Sequence, residues 1–103
     1  MNGPFQPLTG VVVVDLSRYL PGPLLTRILA DLGARVIKVE PPRGEGLRHV
    51  LPDASGVGPA FASLNAGKDS VALNLKVPEG QALCRALVAK ADIVVESFRP
   101  GVM

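Results

Sequence analysis

The sequence is poor in the residue types that most often build covalent, metal-bound or nucleic-acid-binding sites. Among its 103 residues it has one cysteine, one histidine, no tryptophan and an aromatic content of 4%. A single cysteine excludes an internal disulfide, and one cysteine with one histidine argues against a protein-bound metal. The scarcity of aromatic residues and the lack of a dense basic run argue against nucleic acid as a partner.

Long apolar segments are also absent. The longest uninterrupted aliphatic run covers residues 11–14, which is far too short to cross a membrane. No basic segment followed by an apolar stretch opens the chain, so we expect no secretory signal and a cytoplasmic location. Charged residues make up only 19% and mean hydropathy is +0.33, which indicates more apolar surface than a small domain easily hides.

What the sequence does contain is an alternation of strand and helix patterns. Apolar, mostly β-branched runs predict strands at residues 11–16, 36–39, 71–75 and 93–95. Because the first run does not alternate with polar residues, it is typical of a strand that is covered on both faces. The order is strand, helix, strand, long loop, strand, helix, strand, which predicts an α/β fold with right-handed βαβ connections and parallel pairing.

Two helices are predicted from leucine spacing. The first has its apolar positions at residues 24, 25, 28, 29 and 32, with Thr26, Arg27 and Asp31 on the opposite face, and it ends at Gly33. The second begins at Pro78 and has its apolar stripe at residues 83, 87 and 88. Residues 41–58 form a long loop, and residues 61–64 form one helical turn. Cys84 is expected to pack within the second helix.

Ligands of open parallel sheets bind beyond the carboxyl ends of the strands. Three loops qualify here, at residues 17–23, 40–46 and 97–101, and cations lie in or near them: Arg18, Arg43, Arg99, Lys68 and Lys76. Such a spread suits an anionic ligand with separated phosphates, although any single cation of this kind is more often a solvated surface charge. Asp15 and Glu40 at strand ends are expected to bond loop amides, and His49 to be an exposed loop residue.

Several blocks of the chain resemble one family. Residues 14–23 (VDLSRYLPGP) followed by 29–40 (LADLGARVIKVE) resemble the opening of the class III coenzyme A transferase family. Formyl-CoA transferase, carnitine CoA-transferase and alpha-methylacyl-CoA racemase belong to it. Residues 65–76 (NAGKDSVALNLK) resemble its second block, and residues 78–80 and 91–103 (ADIVVESFRPGVM) its third.

The resemblance implies that residues 1–103 form the N-terminal, Rossmann-like, CoA-binding portion of the large domain of such an enzyme. Coenzyme A or acyl-CoA would then be a substrate, not a permanently bound cofactor, and a carboxylic acid would be the other reactant. It also implies a homodimer. High mean hydropathy and a last strand with no helix after it suggest instead a chain completed by another chain, and the composition predicts no membrane or nucleic-acid partner. The implied coenzyme A contacts are Arg18, Leu20, Pro21, Leu73, Asn74, Leu75, Lys76, Ser97, Phe98 and Arg99.

The sequence departs from the family pattern in three respects. Family members are several hundred residues long, and the aspartate of the transferases and the His and Asp of the racemases would lie beyond Met103. The resemblance therefore assigns no catalytic residue and no metal ligand to this chain. Pro41 stands where some members have an arginine, and Ser97 stands where asparagine is usual. A transferase is favoured, with a racemase fragment or a non-catalytic CoA-binding module as alternatives.

Overall fold

Strands and helices alternate along the chain. A computed structural model describes residues 5–50 and 57–97. In chain order its elements are β1 (Val12–Asp15), α1 (Gly22–Asp31), β2 (Arg35–Glu40), a short 3-10 helix (Gly46–His49), α2 (Pro59–Leu64), β3 (Asp69–Ala72), α3 (Pro78–Ala89) and β4 (Ile93–Val95). The predicted order of elements is confirmed. The 3-10 helix lies within the long segment that the sequence predicted as loop.

The four strands form one parallel sheet in the order β3-β2-β1-β4. Asp15 at the end of β1 is in register with Lys38 of β2 and with Val95 of β4. Glu40 at the end of β2 is in register with Ala72 of β3. The predicted parallel α/β fold is thus confirmed, and the carboxyl ends of β1, β2 and β3 meet at one edge of the sheet.

Apolar side chains cover both faces of the central strands, as the uninterrupted apolar run of β1 predicts. On one face Val14, Leu16 and Val39 pack with Cys84 of α3. On the other, Val13 and Val36 pack with Ala34, and with Leu29 and Ala30 of α1. Burial raises the pKa of the Cys84 thiol, so this side chain behaves as a small apolar core residue.

The orientation predicted for α1 is wrong in part: Leu29 packs in the core and Asp31 is exposed as predicted, but four other residues are not placed as predicted. Leu24, Leu25 and Ile28 are 43–48% exposed, whereas Thr26, which the leucine spacing placed on the outer face, is completely buried. Thr26 faces inward because its hydroxyl donates a hydrogen bond of 2.6 Å to the buried carboxylate of Asp15. A buried carboxylate requires donors, and this requirement outweighs the apolar pattern of the helix. In α3, Leu83 is likewise 57% exposed.

The third strand also differs from its prediction, because it covers Asp69–Ala72 and not residues 71–75. Its last bond to β2 is donated by the Leu73 amide to the carbonyl of Glu40, at 2.8 Å. β2 ends at Glu40 and is followed by two prolines, so residues beyond Leu73 have no strand to pair with. They turn instead, with the Lys76 amide bonded to Oδ1 of Asn74 at 3.0 Å.

Candidate functional site at the carboxyl edge of the sheet

A cavity of about 660 Å³ opens at the carboxyl ends of β1, β2 and β3. Three chain segments line it, one following each strand: Leu16 and Arg18; Val39, Glu40, Pro41, Pro42 and Arg43; and Leu73, Asn74, Leu75 and Lys76. Parallel α/β sheets bind ligands at this edge. The volume lies within the range of small-molecule sites, roughly 300–1,000 Å³.

The cavity combines apolar walls with a cationic mouth. Leu16 and Val39 are core residues of the sheet, and Leu73 and Leu75 pack against the same core from the loop after β3. The side chains of Arg18, Arg43 and Lys76 are exposed around the opening. An amphipathic ligand with a flexible, weakly polar arm and a strongly anionic end would fit this arrangement, since guanidinium and ammonium groups bind phosphates.

The loop after β1 is fixed by a buried carboxylate. Asp15 is fully buried; its Oδ1 accepts hydrogen bonds from the Ser17 amide at 2.8 Å and from the Ser17 hydroxyl. Its Oδ2 accepts from Thr26, and from the Lys68 ammonium at 3.0 Å. Burial raises the pKa of Asp15, but the hydroxyls of Ser17 and Thr26 and the charges of Lys38 and Lys68 hold it below the ordinary value. Asp15 therefore organises the loop.

The segment after β2 is fixed by a second buried carboxylate. Glu40 accepts two hydrogen bonds from the Arg48 guanidinium, at 2.7 and 2.8 Å, one from the Ser70 hydroxyl and one from the Glu45 amide at 2.8 Å. Burial raises the pKa of Glu40, but these donors lower it to about 2. The Arg48 guanidinium also stacks over Phe61 of α2, 4.1 Å from the ring centre. Glu40 therefore lies in the cavity wall as an ionised carboxylate whose oxygens already accept hydrogen bonds from these donors.

Buried charges beneath the cavity balance one another. Three acids and three bases lie close together there, namely Asp15, Glu40 and Glu45 with Lys38, Lys68 and Arg48; the Arg48 side chain is 28% exposed, and the other five side chains are almost fully buried. Lys68, one of the candidate ligand cations, has a side chain that is only 2% exposed and bonded to Asp15. Burial lowers the pKa of Lys68, while the Asp15 charge opposes that shift. The interpretation of Lys68 as either a ligand contact or a solvated surface charge is wrong.

The sequence matches the model of CoA-transferase family III over residues 8–103. The chain belongs to CoA-transferase family III. It is 46% identical over 97% of its length to an acetyl-CoA:oxalate CoA-transferase of Acetobacter aceti, of which it covers 26%. To the human succinyl-CoA:glutarate CoA-transferase it is 43% identical over 93% of its length, covering 22% of that protein. The chain thus spans about a quarter of the length of the curated relatives it matches.

Solved structures support the same assignment. A CAIB/BAIF family protein from Brucella suis superimposes with a TM-score of 0.88 at 44% identity, with 93% of this chain and 27% of that chain covered. The Rv3272 protein of Mycobacterium tuberculosis superimposes with a TM-score of 0.88 at 40% identity, with 98% and 28% covered. The four-stranded parallel sheet is therefore shared with the matching quarter of these two structures.

Most of the expected family contacts that the structure describes surround the cavity. Arg18, Leu73, Asn74, Leu75 and Lys76 line it. Ser97 lies beside them, since its hydroxyl accepts a hydrogen bond of 3.3 Å from the Arg18 amide. Leu20 and Pro21 are exposed in the loop after β1 and are not among the described lining residues. Phe98 and Arg99 lie outside the described residues.

The lining residues that sequence reasoning did not assign to the coenzyme A site are Leu16, Val39, Glu40, Pro41, Pro42 and Arg43. The sequence did contain an indication of these residues, because each lies at the end of β1 or β2 or within three residues after it. Pro41, where some family members have arginine, belongs to a turn in which the Gly44 amide bonds the Pro41 carbonyl at 2.8 Å. Nε2 of His49 lies 2.9 Å from the Arg43 carbonyl, so this exposed histidine braces the turn that carries Arg43.

The described residues hold neither a cluster of metal ligands nor a membrane-spanning helix. Residues 5–50 and 57–97 contain no group of three or more His, Cys, Asp or Glu side chains that could hold a metal ion. In the same part of the chain, every helix is too short or too polar to cross a membrane.

Proposed function

We propose that this chain is the CoA-binding portion of a CoA-transferase, in which the cavity at the carboxyl edge of the sheet holds the coenzyme A part of an acyl-CoA substrate. The observation that carries the proposal is the combination of apolar walls with exposed Arg18, Arg43 and Lys76 at one opening. Coenzyme A has matching chemistry, with a pantetheine arm at one end and a pyrophosphate and a ribose phosphate at the other.

The relatives support transfer of coenzyme A between carboxylic acids. Their names describe exchange between acetate and oxalate in one case and between succinate and glutarate in another. In the proposed reaction, an aspartate carboxylate attacks the thioester carbonyl, and coenzyme A leaves as the thiolate. The thiolate then attacks the aspartyl carbonyl of the resulting anhydride, which releases the first acid and forms an aspartyl-CoA thioester for the second acid to attack.

The described carboxylates are poorly suited to supply that aspartate. Glu40 is the only acidic residue among the described cavity-lining residues, and the side chains of Arg48 and Ser70 and the Glu45 amide occupy its oxygens. Asp15 is fully buried in its own ion pair. We therefore propose that the described part of the chain contributes binding and positioning, and that the nucleophile comes from elsewhere in the functional enzyme.

The test is a titration of the 103-residue chain with coenzyme A, in which the backbone amide NMR signals are the readout. Two or three charge-assisted contacts, reduced by the entropy of association, predict a dissociation constant of about 1 mM. We expect the amide signals of Arg18 and of residues 73–76 to shift. Weaker binding is expected for 3′-dephospho-CoA and weaker still for pantetheine, since each lacks anionic groups that the exposed cations would contact.

Substitutions that remove one positive charge test where coenzyme A binds. Arg18→Gln and Lys76→Gln should each weaken coenzyme A binding several-fold, whereas Arg85→Gln should leave it unchanged because Arg85 is exposed on α3 and does not line the cavity. Equal affinity of wild type and both cavity variants would refute the proposed site. Acyl transfer by the purified chain would instead contradict the proposal that the nucleophile lies elsewhere.

A further inference from the structure

Glu45 connects the two loops that border the cavity on the β1 and β2 sides. Its backbone amide donates to Oε1 of Glu40 at 2.8 Å, so the residue is fixed to the end of β2. Its own Oε1 accepts a hydrogen bond from the backbone amide of Tyr19, in the loop after β1. The Glu45 side chain is buried, with 1% of the residue exposed, although it comes from a surface loop. One carboxylate thus joins segments that are 26 residues apart.

Tyr19 needs such a partner because of its backbone conformation. Its φ angle is +63°, a left-handed value that non-glycine residues rarely adopt without compensating contacts. The adjacent Gly46 supplies a second contact, since a Cβ atom there would lie only 2.2 Å from the Tyr19 hydroxyl. The side chain of Tyr19 therefore packs over the backbone of Gly46. The pair Glu45 and Gly46 holds Tyr19 by both its backbone and its ring.

The hydrogen bonding of the Glu45 side chain differs from that of the other buried carboxylates, although its charge also acts on Lys68 and Arg48. Asp15 pairs with Lys68, and Glu40 pairs with Arg48, in bonds that do not include the Glu45 side chain. Oε2 of Glu45 is buried, and residues 5–50 and 57–97 provide it with no hydrogen-bond partner. Within these residues, the hydrogen bond that the Glu45 carboxylate accepts is therefore the one from the Tyr19 amide. Loss of this carboxylate should act first on the loop that contains Arg18.

We propose that Glu45 is a positioning residue that fixes the Tyr19 backbone, presents Arg18 to the cavity and thereby sets the affinity for coenzyme A. This inference rests on the proposed function of the cavity. Glu45 is not among the residues that line the described cavity, and its hydrogen bond to the loop after β1 is the one from the Tyr19 amide. A hydrogen bond to a charged acceptor is among the stronger contacts that a backbone amide makes. Without it, the loop should sample conformations in which Arg18 no longer faces the ligand.

Three variants test the inference by amide NMR and coenzyme A titration. Glu45→Ala should weaken coenzyme A binding about tenfold, which corresponds to loss of one charge-assisted hydrogen bond. Its Tyr19 amide signal should move upfield and exchange faster with solvent. Glu45→Gln retains one carbonyl acceptor and should give intermediate values of both quantities. Glu79→Gln, the same change at an exposed position in the first turn of α3, should match wild type.

The outcomes are distinguishable. If the Tyr19 amide signal changes while the variants bind coenzyme A as wild type does, the positioning role is wrong. If the amides of Val13 and Val14 lose protection together with binding, Glu45 serves the stability of the whole sheet, and the inference is again overturned. If the wild-type chain does not bind coenzyme A, the proposed function is wrong, and so is the proposed effect of Glu45 on affinity. The amide signal of Tyr19 still reports in that case whether Glu45 holds the loop.

Discussion

Replacement of Glu40 by glutamine should remove a pH-dependent part of the stability of this fold. Glu40 is 3% exposed and receives hydrogen bonds from the Arg48 guanidinium, the Ser70 hydroxyl and the Glu45 amide. These donors outweigh the effect of burial and lower the pKa from its ordinary value of 4.5 to about 2. By proton linkage this difference corresponds to about 3 kcal/mol of unfolding free energy at neutral pH.

The sign of the effect follows from the direction of the shift. A carboxyl group with a lowered pKa in the folded state stabilises the fold fully above pH 4.5, and this contribution is lost as pH falls toward 2. Glu40→Gln should therefore be about 3 kcal/mol less stable than wild type at pH 7. That figure agrees with the lower end of the cost of breaking a buried ion pair. Near pH 2 the difference should nearly vanish, because about half of wild-type Glu40 is then protonated even in the folded state.

Urea denaturation followed by circular dichroism at pH 7, 4 and 2.5 measures these differences. Glu79→Gln is the matched control, since Glu79 is exposed on α3, and its stability should follow that of wild type at all three pH values. A stability difference between Glu40→Gln and wild type that stayed constant from pH 7 to pH 2.5 would refute the reasoning. The destabilisation would then come from packing and not from the ionised carboxylate.

Two other substitutions test features of the same fold. Gly80→Ala should destabilise the chain by about 1–3 kcal/mol and weaken coenzyme A binding, because a Cβ atom would lie 1.8 Å from the Asn74 carbonyl oxygen in the cavity wall. Replacement of glycine by alanine inside a helix usually raises the free energy of unfolding by about 1 kcal/mol. Urea denaturation that shows such an increase would contradict this prediction. We also expect self-association through the exposed face of α1 formed by Leu24, Leu25 and Ile28. Sedimentation velocity should show less association for Leu25→Lys, and a monomeric wild type at high concentration would contradict this expectation.

The sequence was sufficient to predict the order of elements and the edge of the sheet where the cavity lies. Both predictions depend on local patterns: apolar runs for the strands, and loops that follow their carboxyl ends. Lys76 could be placed in the site on this basis together with the family resemblance. The resemblance also supplied Asn74, whose position depends on the turn after β3 and on the close approach of Gly80. No periodicity in the sequence indicates that approach.

The orientation of α1 could not be predicted, because it depends on a contact between distant residues. Leucine spacing favours an inward apolar face, but Asp15 on β1 is fully buried and needs the hydroxyl of Thr26. Lys68, which lies 53 residues from Asp15 along the chain, completes the same site. The spacing of apolar residues within one helix contains no information about a carboxylate on a distant strand. The exposed leucines of α1 are therefore a consequence of where the buried charge lies.

The same long-range pairing decides which cations can bind a ligand. Arg18, Arg43, Lys68 and Lys76 all occur near strand ends and cannot be distinguished by spacing. In the fold Lys68 is held by Asp15 beneath the loops, whereas Arg18, Arg43 and Lys76 are exposed at the cavity. The exposed side chains at the cavity are therefore the cations that a phosphate-bearing ligand can reach from solvent. Under the proposed function, buried carboxylates such as Asp15 and Glu45 would serve binding indirectly, because they hold in place the loop that carries Arg18.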